Sequence, residues 1–201
     1  MSNDQQLSKE KSLEIIHQMI SQAKINFTDN GLGWLLWGTL LFLASLSTYV
    51  FIYTLPGNIW LGWNIFGVFT ILMLSYDMFR PKRKQVTTYL DDLLRLVDIG
   101  FIICIFSVIF AINFAVSTNG GFGFFLMIFA FQMLVKGGAI KSRSLMLGAA
   151  VNWAGAIAIF ITKEFKYDML IMAVAVLIGY IVPGILLWIQ YKKSSVSSKN
   201  N

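Results

Sequence analysis

Residues 59–84 read IWLGWNIFGVFTILMLSYDMFRPKRK. The stretch 59–76 carries no charge, and the next eight positions bring Asp77 and then Arg80, Lys82, Arg83 and Lys84. As a helix rising about 1.5 Å per residue, the uncharged run nearly covers roughly 30 Å of hydrocarbon. Basic residues packed against one end of such a run mark the side retained in the cytoplasm during insertion. An apolar run closed by a basic cluster therefore reads as a membrane-spanning helix with its end facing inward.

Working outward, five further apolar stretches lie at 32–53, 99–116, 121–140, 144–162 and 169–191. Fourteen of the sixteen lysines and arginines fall on one side of the six. Lys9, Lys11 and Lys24 precede the first span, and Arg95 joins the cluster between the second and third. Lys136, Lys141 and Arg143 mark the junction of the fourth and fifth, while Lys192, Lys193 and Lys199 follow the sixth. The remaining two, Lys163 and Lys166, lie in the loop between spans five and six and are offset by Glu164 and Asp168. This sidedness predicts an all-α polytopic bundle of six transmembrane helices in three hairpins, with both termini in the cytoplasm. Residues 1–31 form a cytoplasmic N-terminal segment, 32–191 the transmembrane domain with a cytoplasmic stretch at 77–98, and 192–201 a polar basic tail.

Composition agrees. Hydrophobic residues make up 57% of the 201, and charged residues only 13%, about half the share of a soluble domain. The apolar residues come in blocks rather than at amphipathic spacing. A net charge of +6 would suit nucleic acid, but its sidedness tracks the membrane and anionic lipid instead, so no nucleic-acid partner is expected. The first 30 residues lack a short apolar run with a small-residue cleavage site, so the first span is expected to serve as the insertion signal. Pro56-Gly57 and Asn119-Gly120-Gly121 supply outer turns. The two halves show no inverted repeat of the transporter type, because their central loops differ in length and side.

Two cytoplasmic segments have helical amphipathicity. Leu13, Ile16, Ile20, Ala23 and Phe27 recur at three- and four-residue spacing, ended by Asp29-Asn30-Gly31. Leu90, Leu93, Leu94 and Val97 share a second face, with Thr88 and Asp91 at capping-box spacing. Such helices lie in the headgroup region or present a docking surface. The candidate cytoplasmic interaction face comprises Arg80, Lys82, Arg83, Lys84, Asp91, Arg95 and Asp98. Asp77 and Asp98 are expected to pair locally with Arg80 and Arg95, and Lys136 to snorkel towards the cytoplasmic surface.

Chemistry is sparse. His17 lies outside the membrane and Cys104 stands alone within it, so neither a metal or haem site nor a histidine-assisted nucleophile can be assembled, and no cofactor is expected. Gly120-Gly121-Phe122-Gly123 lacks the lysine of a phosphate loop. No charge sits near a span's midpoint, which argues against proton- or sodium-coupled transport. Four amides remain inside the spans: Asn64, Asn113, Gln132 and Asn152. Interhelical hydrogen bonds are their ordinary use, and lining a cavity for a small neutral solute is the functional alternative. Ala150, Ala154 and Ala158, with Ala175, Gly179 and Pro183, form small-residue stripes that predict close packing of the last two spans. Pro183-Gly184 should kink the sixth span. Phe122, Phe125 and Phe129 read as core or lipid-facing bulk.

Ser12-Leu13-Glu14-Ile15-Ile16, Phe27, Leu35-Leu36-Trp37-Gly38, Phe42 and Ala44-Ser45 resemble the opening of a family of uncharacterised bacterial multi-pass integral membrane proteins. In that family an amphipathic N-terminal helix precedes a Leu-Leu-Trp-Gly first span. The resemblance covers about the first 50 residues. It implies a bacterial inner membrane and carries no activity or ligand. The expectation is a non-enzymatic protein, accessory or regulatory in type, acting through helix–helix contacts. Its partners would be the lipid bilayer, another membrane protein or a second copy of the chain. The alternative is a small-solute transporter or channel with an amide-lined cavity.

Overall fold

The computed structural model describes residues 31–79, 89–114, 118–162 and 164–197; the side chains of 74, 76–79, 89–91, 119 and 194–197 fall outside that description. Every regular element within it is helical. Helix α1 (Leu32–Thr54) stops because Pro56 excludes the preceding residue from the α region, and Leu55 turns extended at φ −143° and ψ 66°. One 3₁₀ turn at Pro56–Asn58 leads into α2 (Leu61–Phe79). Helix α3 (Tyr89–Phe114) runs through both the amphipathic segment and the third span without a break. Those two expected elements are one helix, since no proline or turn chemistry separates Val97 from Ile99.

Helix α4 (Thr118–Ala139) and α5 (Arg143–Thr162) are joined by a tight turn. Lys141 takes the left-handed conformation at φ 54°. The Ser142 N–H donates to Gly137 O at 2.8 Å and the Lys141 N–H to Gly138 O at 3.2 Å. That pair closes the end of α4 as a Schellman motif. The final rod comprises α6 (Phe165–Val176), a π-helical turn at Leu177–Ile181 and α7 (Val182–Ser197). Where Pro183-Gly184 predicts a kink, the rod carries a π-helical turn immediately upstream.

Helices α1, α4 and α5 surround the last rod, and the buried side chains of Leu41, Leu126, Met133, Leu145, Ile159 and Met172 fill the space between them. The two other helices are peripheral: α2 leans on α1, and α3 on α4. Five of the described helices are long and apolar enough to cross a membrane: Leu32–Thr54, Asp92–Phe114, Gly120–Ala139, Arg143–Thr162 and Phe165–Lys193. Half of the window taken from the last is buried, against none of that from α3. Ile65, Val68, Ile71 and Leu72 on α2, and Ile103, Phe106, Phe110 and Phe114 on α3, lie outward. A face this apolar suits hydrocarbon and would be far too large a patch for water.

Candidate functional site

Polar groups are held at three depths of the four-rod core. At the middle, Asn152 lies half-way along α5 and is wholly buried. Its Nδ2 donates to Gly148 O at 3.0 Å and approaches Met133 Sδ at 3.5 Å. Its Oδ1 is buried with no hydrogen-bond partner among the described residues. Across the interface is Gly179, within the π-helical turn. A Cβ there would come within 2.6 Å of Asn152 Nδ2, and the Gly148 backbone lies against the Gly179 carbonyl. Pro183 explains the geometry: it has no N–H to return to the carbonyl of Gly179, four residues earlier. The ladder shifts register instead, and Val182 N–H donates to Leu177 O five residues back. Glycine at both contact points lets α5 close on the distorted turn.

The other side of that turn is gripped by α1 and α4. Tyr180 packs on Trp34 with centroids 5.1 Å apart and meets Phe129 edge-on at 5.9 Å. Gly38 admits Tyr180 and Ile181. Gly184 admits the Leu35 backbone.

At one end, Asp98 of α3 forms an ion pair with Lys136 of α4 at 2.7 Å. The same oxygen accepts from Gln132 Nε2 at 2.9 Å. Lys136 also stands 5.7 Å above the Trp34 ring. Asp98 was expected to pair with Arg95 on its own helix, and Lys136 to reach for the surface. Arg95 is exposed, and it is the neighbouring helix that supplies the cation. An ammonium several residues inside an apolar helix gains more from a carboxylate at its own depth than from extending outward. Of the candidate cytoplasmic face, Arg80, Lys82, Arg83 and Lys84 lie outside the described residues, as does the Asp91 side chain. Arg95 and Asp98 are therefore the two members whose side chains are placed.

At the opposite end, Asp168 is a residue that sequence reasoning missed. It was taken for a loop charge; it is wholly buried at the start of α6. Its Oδ2 accepts from Gly120 N–H at 3.1 Å, capping the first turn of α4, and its Oδ1 has no partner among the described residues. The nearby Lys166 pairs instead with Glu164 at 3.1 Å. The available signal was periodicity, since Asp168, Met172 and Ala175 share a helical face and all three are buried. Beside them an aromatic cluster joins α2 to α4, with Trp63 4.9 Å from Phe122, and the turn before α2 to α6, with Trp60 5.3 Å from Phe165. Phe122 and Phe129 are core residues.

The four amides do not share a cavity. Asn64 is exposed on α2. Asn113 is exposed on α3, and its Nδ2 donates to Ile109 O of its own helix at 2.8 Å. Gln132 serves the Asp98–Lys136 ion pair and Asn152 the centre. Close packing of α5 against the last rod runs through Gly148, Asn152 and Gly155; of the expected alanine stripe, Ala150 and Ala154 are exposed. Ala175, Gly179 and Pro183 are buried at that contact as expected. Cys104 is exposed on α3. His17 lies outside the described residues. Within them no three of histidine, cysteine, aspartate and glutamate come together as a metal set. The chain matches no family model, no curated protein and no solved structure.

Proposed function

We propose that this chain is a non-enzymatic protein of the bacterial inner membrane, crossing it six times with both termini in the cytoplasm. In this reading it is an accessory or regulatory subunit that works through lateral helix–helix contacts. One observation carries the proposal. Among the described residues, Gln132 and Lys136 fasten α4 to Asp98 of α3, α4 is the main neighbour of α3, and α3 turns an apolar face outward. A helix tied at one edge and open along the other is suited to receive a neighbour. The dispersal of Asn64, Asn113, Gln132 and Asn152 favours this reading over solute conduction, which needs polar groups lining one path.

Photo-crosslinking in intact membranes tests it. A benzophenone side chain at Phe106 or Phe110 should capture protein, whereas one at Ile157, on the outward face of α5, should capture lipid. Lipid adducts alone at every α3 position would refute a contact function for this helix.

A further inference from the structure

Among the described residues, Asp168 is the one carboxyl group that is wholly buried. It bridges two helices. From the start of α6 its Oδ2 accepts from Gly120 N–H at 3.1 Å, in the first turn of α4, where backbone donors have no partner within their own helix. Its Oδ1 has no partner among the described residues. A single N–H and the dipole of α4 return only a fraction of what burial costs an anion. The neutral acid fits better. Protonated at Oδ1, the side chain still accepts from Gly120 through its carbonyl oxygen. One uncharged O–H is then left over, a much smaller penalty than an unpaired carboxylate.

The elements packed on α6 bring no cation to this end. They are α1, α4 and α5. Helix α1 has no charged residue, and its titratable groups towards this end are Tyr49 and Tyr53. The cation of α4, Lys136, lies 16 residues beyond Gly120, about 24 Å along the helix. That of α5, Arg143, opens its helix at the opposite end. On α6 itself Lys166 is held by Glu164 at 3.1 Å and stands 4.7 Å above the Tyr167 ring. Lys163 lies outside the described residues, and the experiment below takes it up directly.

We infer that Asp168 is a proton-binding site: the folded protein holds this side chain as the neutral acid at neutral pH, and loss of the proton loosens the junction of α4 with α6. A buried ionisable group without a counter-charge is the ordinary mark of a proton site in a membrane bundle. Burial fixes the direction of the response. Exposed to water, the group ionises at the usual carboxylate pH; enclosed, it ionises only at a higher one. The stability it contributes is complete in acid and is lost as pH rises through the value of the enclosed group.

Infrared spectroscopy of the full-length protein in lipid nanodiscs, titrated with pH, tests the site. The wild type should show a carboxylic-acid C=O band at neutral pH that converts to carboxylate in alkali. Asp168→Asn and Asp168→Ser should both lack it. Each keeps an acceptor for Gly120 N–H without a titratable proton, so both should fold. Amide protection factors of 118–124 and 165–172 in the wild type should fall about tenfold per pH unit towards the transition and level off above it, the linkage of an opening that releases one proton. In the two variants protection should not change with pH. Lys163→Met and Lys166→Met should leave the transition where it is. Absence of the acid band at neutral pH, or its persistence in Asp168→Asn, would overturn the inference. An upward shift of the transition in Lys163→Met would do the same, since that lysine would then be pairing with the anion. So would failure of both neutral variants to fold at any pH, because the fold would then need the charge. Loss of protection in the variants equal to that of the wild type would also overturn it.

Discussion

A Cβ at Gly179 would come within 2.6 Å of Asn152 Nδ2, so substitutions at the two positions should be strongly coupled. Gly179→Ala drives a methyl group against Asn152 Nδ2 and should destabilise the bundle by about 1–3 kcal/mol, the usual cost of overpacking. Asn152→Ala loses the bonds to Gly148 O and Met133 Sδ but also removes the unpartnered Oδ1, so its cost should be nearer about 1 kcal/mol. Together the two should cost less than their sum, because the smaller side chain leaves room for the new methyl. Unfolding of the four proteins in mixed micelles measures the coupling; strict additivity would mean that the two residues do not meet. Residue identity announced part of this site. Pro183 and Gly179 signalled a distorted, closely packed helix from the sequence. The partner stripe was misassigned to Ala150 and Ala154, since the rotation of α5 is set by which neighbours it buries against. Asp168 was misread for a related reason: a carboxylate beside two lysines looks like a loop charge until a glycine N–H from another helix is brought to it.

Among elements, the attachment of α3 differs most from the rest. It rests on α4 through Phe101 against Phe129, with centroids 5.3 Å apart, and through the Asp98–Lys136 pair. Both charged side chains are partly solvated, at 43% and 25% exposure, so the pair should contribute no more than about 1 kcal/mol in a double-mutant cycle. Its larger effect should be on dynamics. Lys136→Met removes the cation, and amide exchange of residues 99–114 should then speed up while that of α5 stays unchanged. Equal change in both helices would place the pair in the global fold rather than at this attachment. The existence of these helices was readable because uncharged runs of membrane length leave few other structures open to the chain. Their continuity was less so: Tyr89–Phe114 was divided in two because its amphipathic beginning and its apolar remainder have different patterns, although no breaker separates them. The partner of Asp98 could not be read locally, as Lys136 is distant in sequence and arrives only when α4 packs alongside.

For the molecule as a whole, the arrangement is four gripping rods with α2 and α3 leaning on opposite partners, and its orientation was drawn from charge alone. Every functional statement depends on that orientation. The direct measurement is membrane-impermeant thiol labelling of single cysteines in the Cys104→Ser background, at Gly57 in the α1–α2 turn and at Lys193 near the end of α7. Gly57 has open space where a side chain would go, and Lys193 is exposed, so neither change should disturb the fold. The expected result is that Gly57→Cys reacts in intact spheroplasts, while Lys193→Cys reacts only after the membrane is opened. Labelling of both from the outside, or the reverse order, would contradict the crossing pattern and the account built on it.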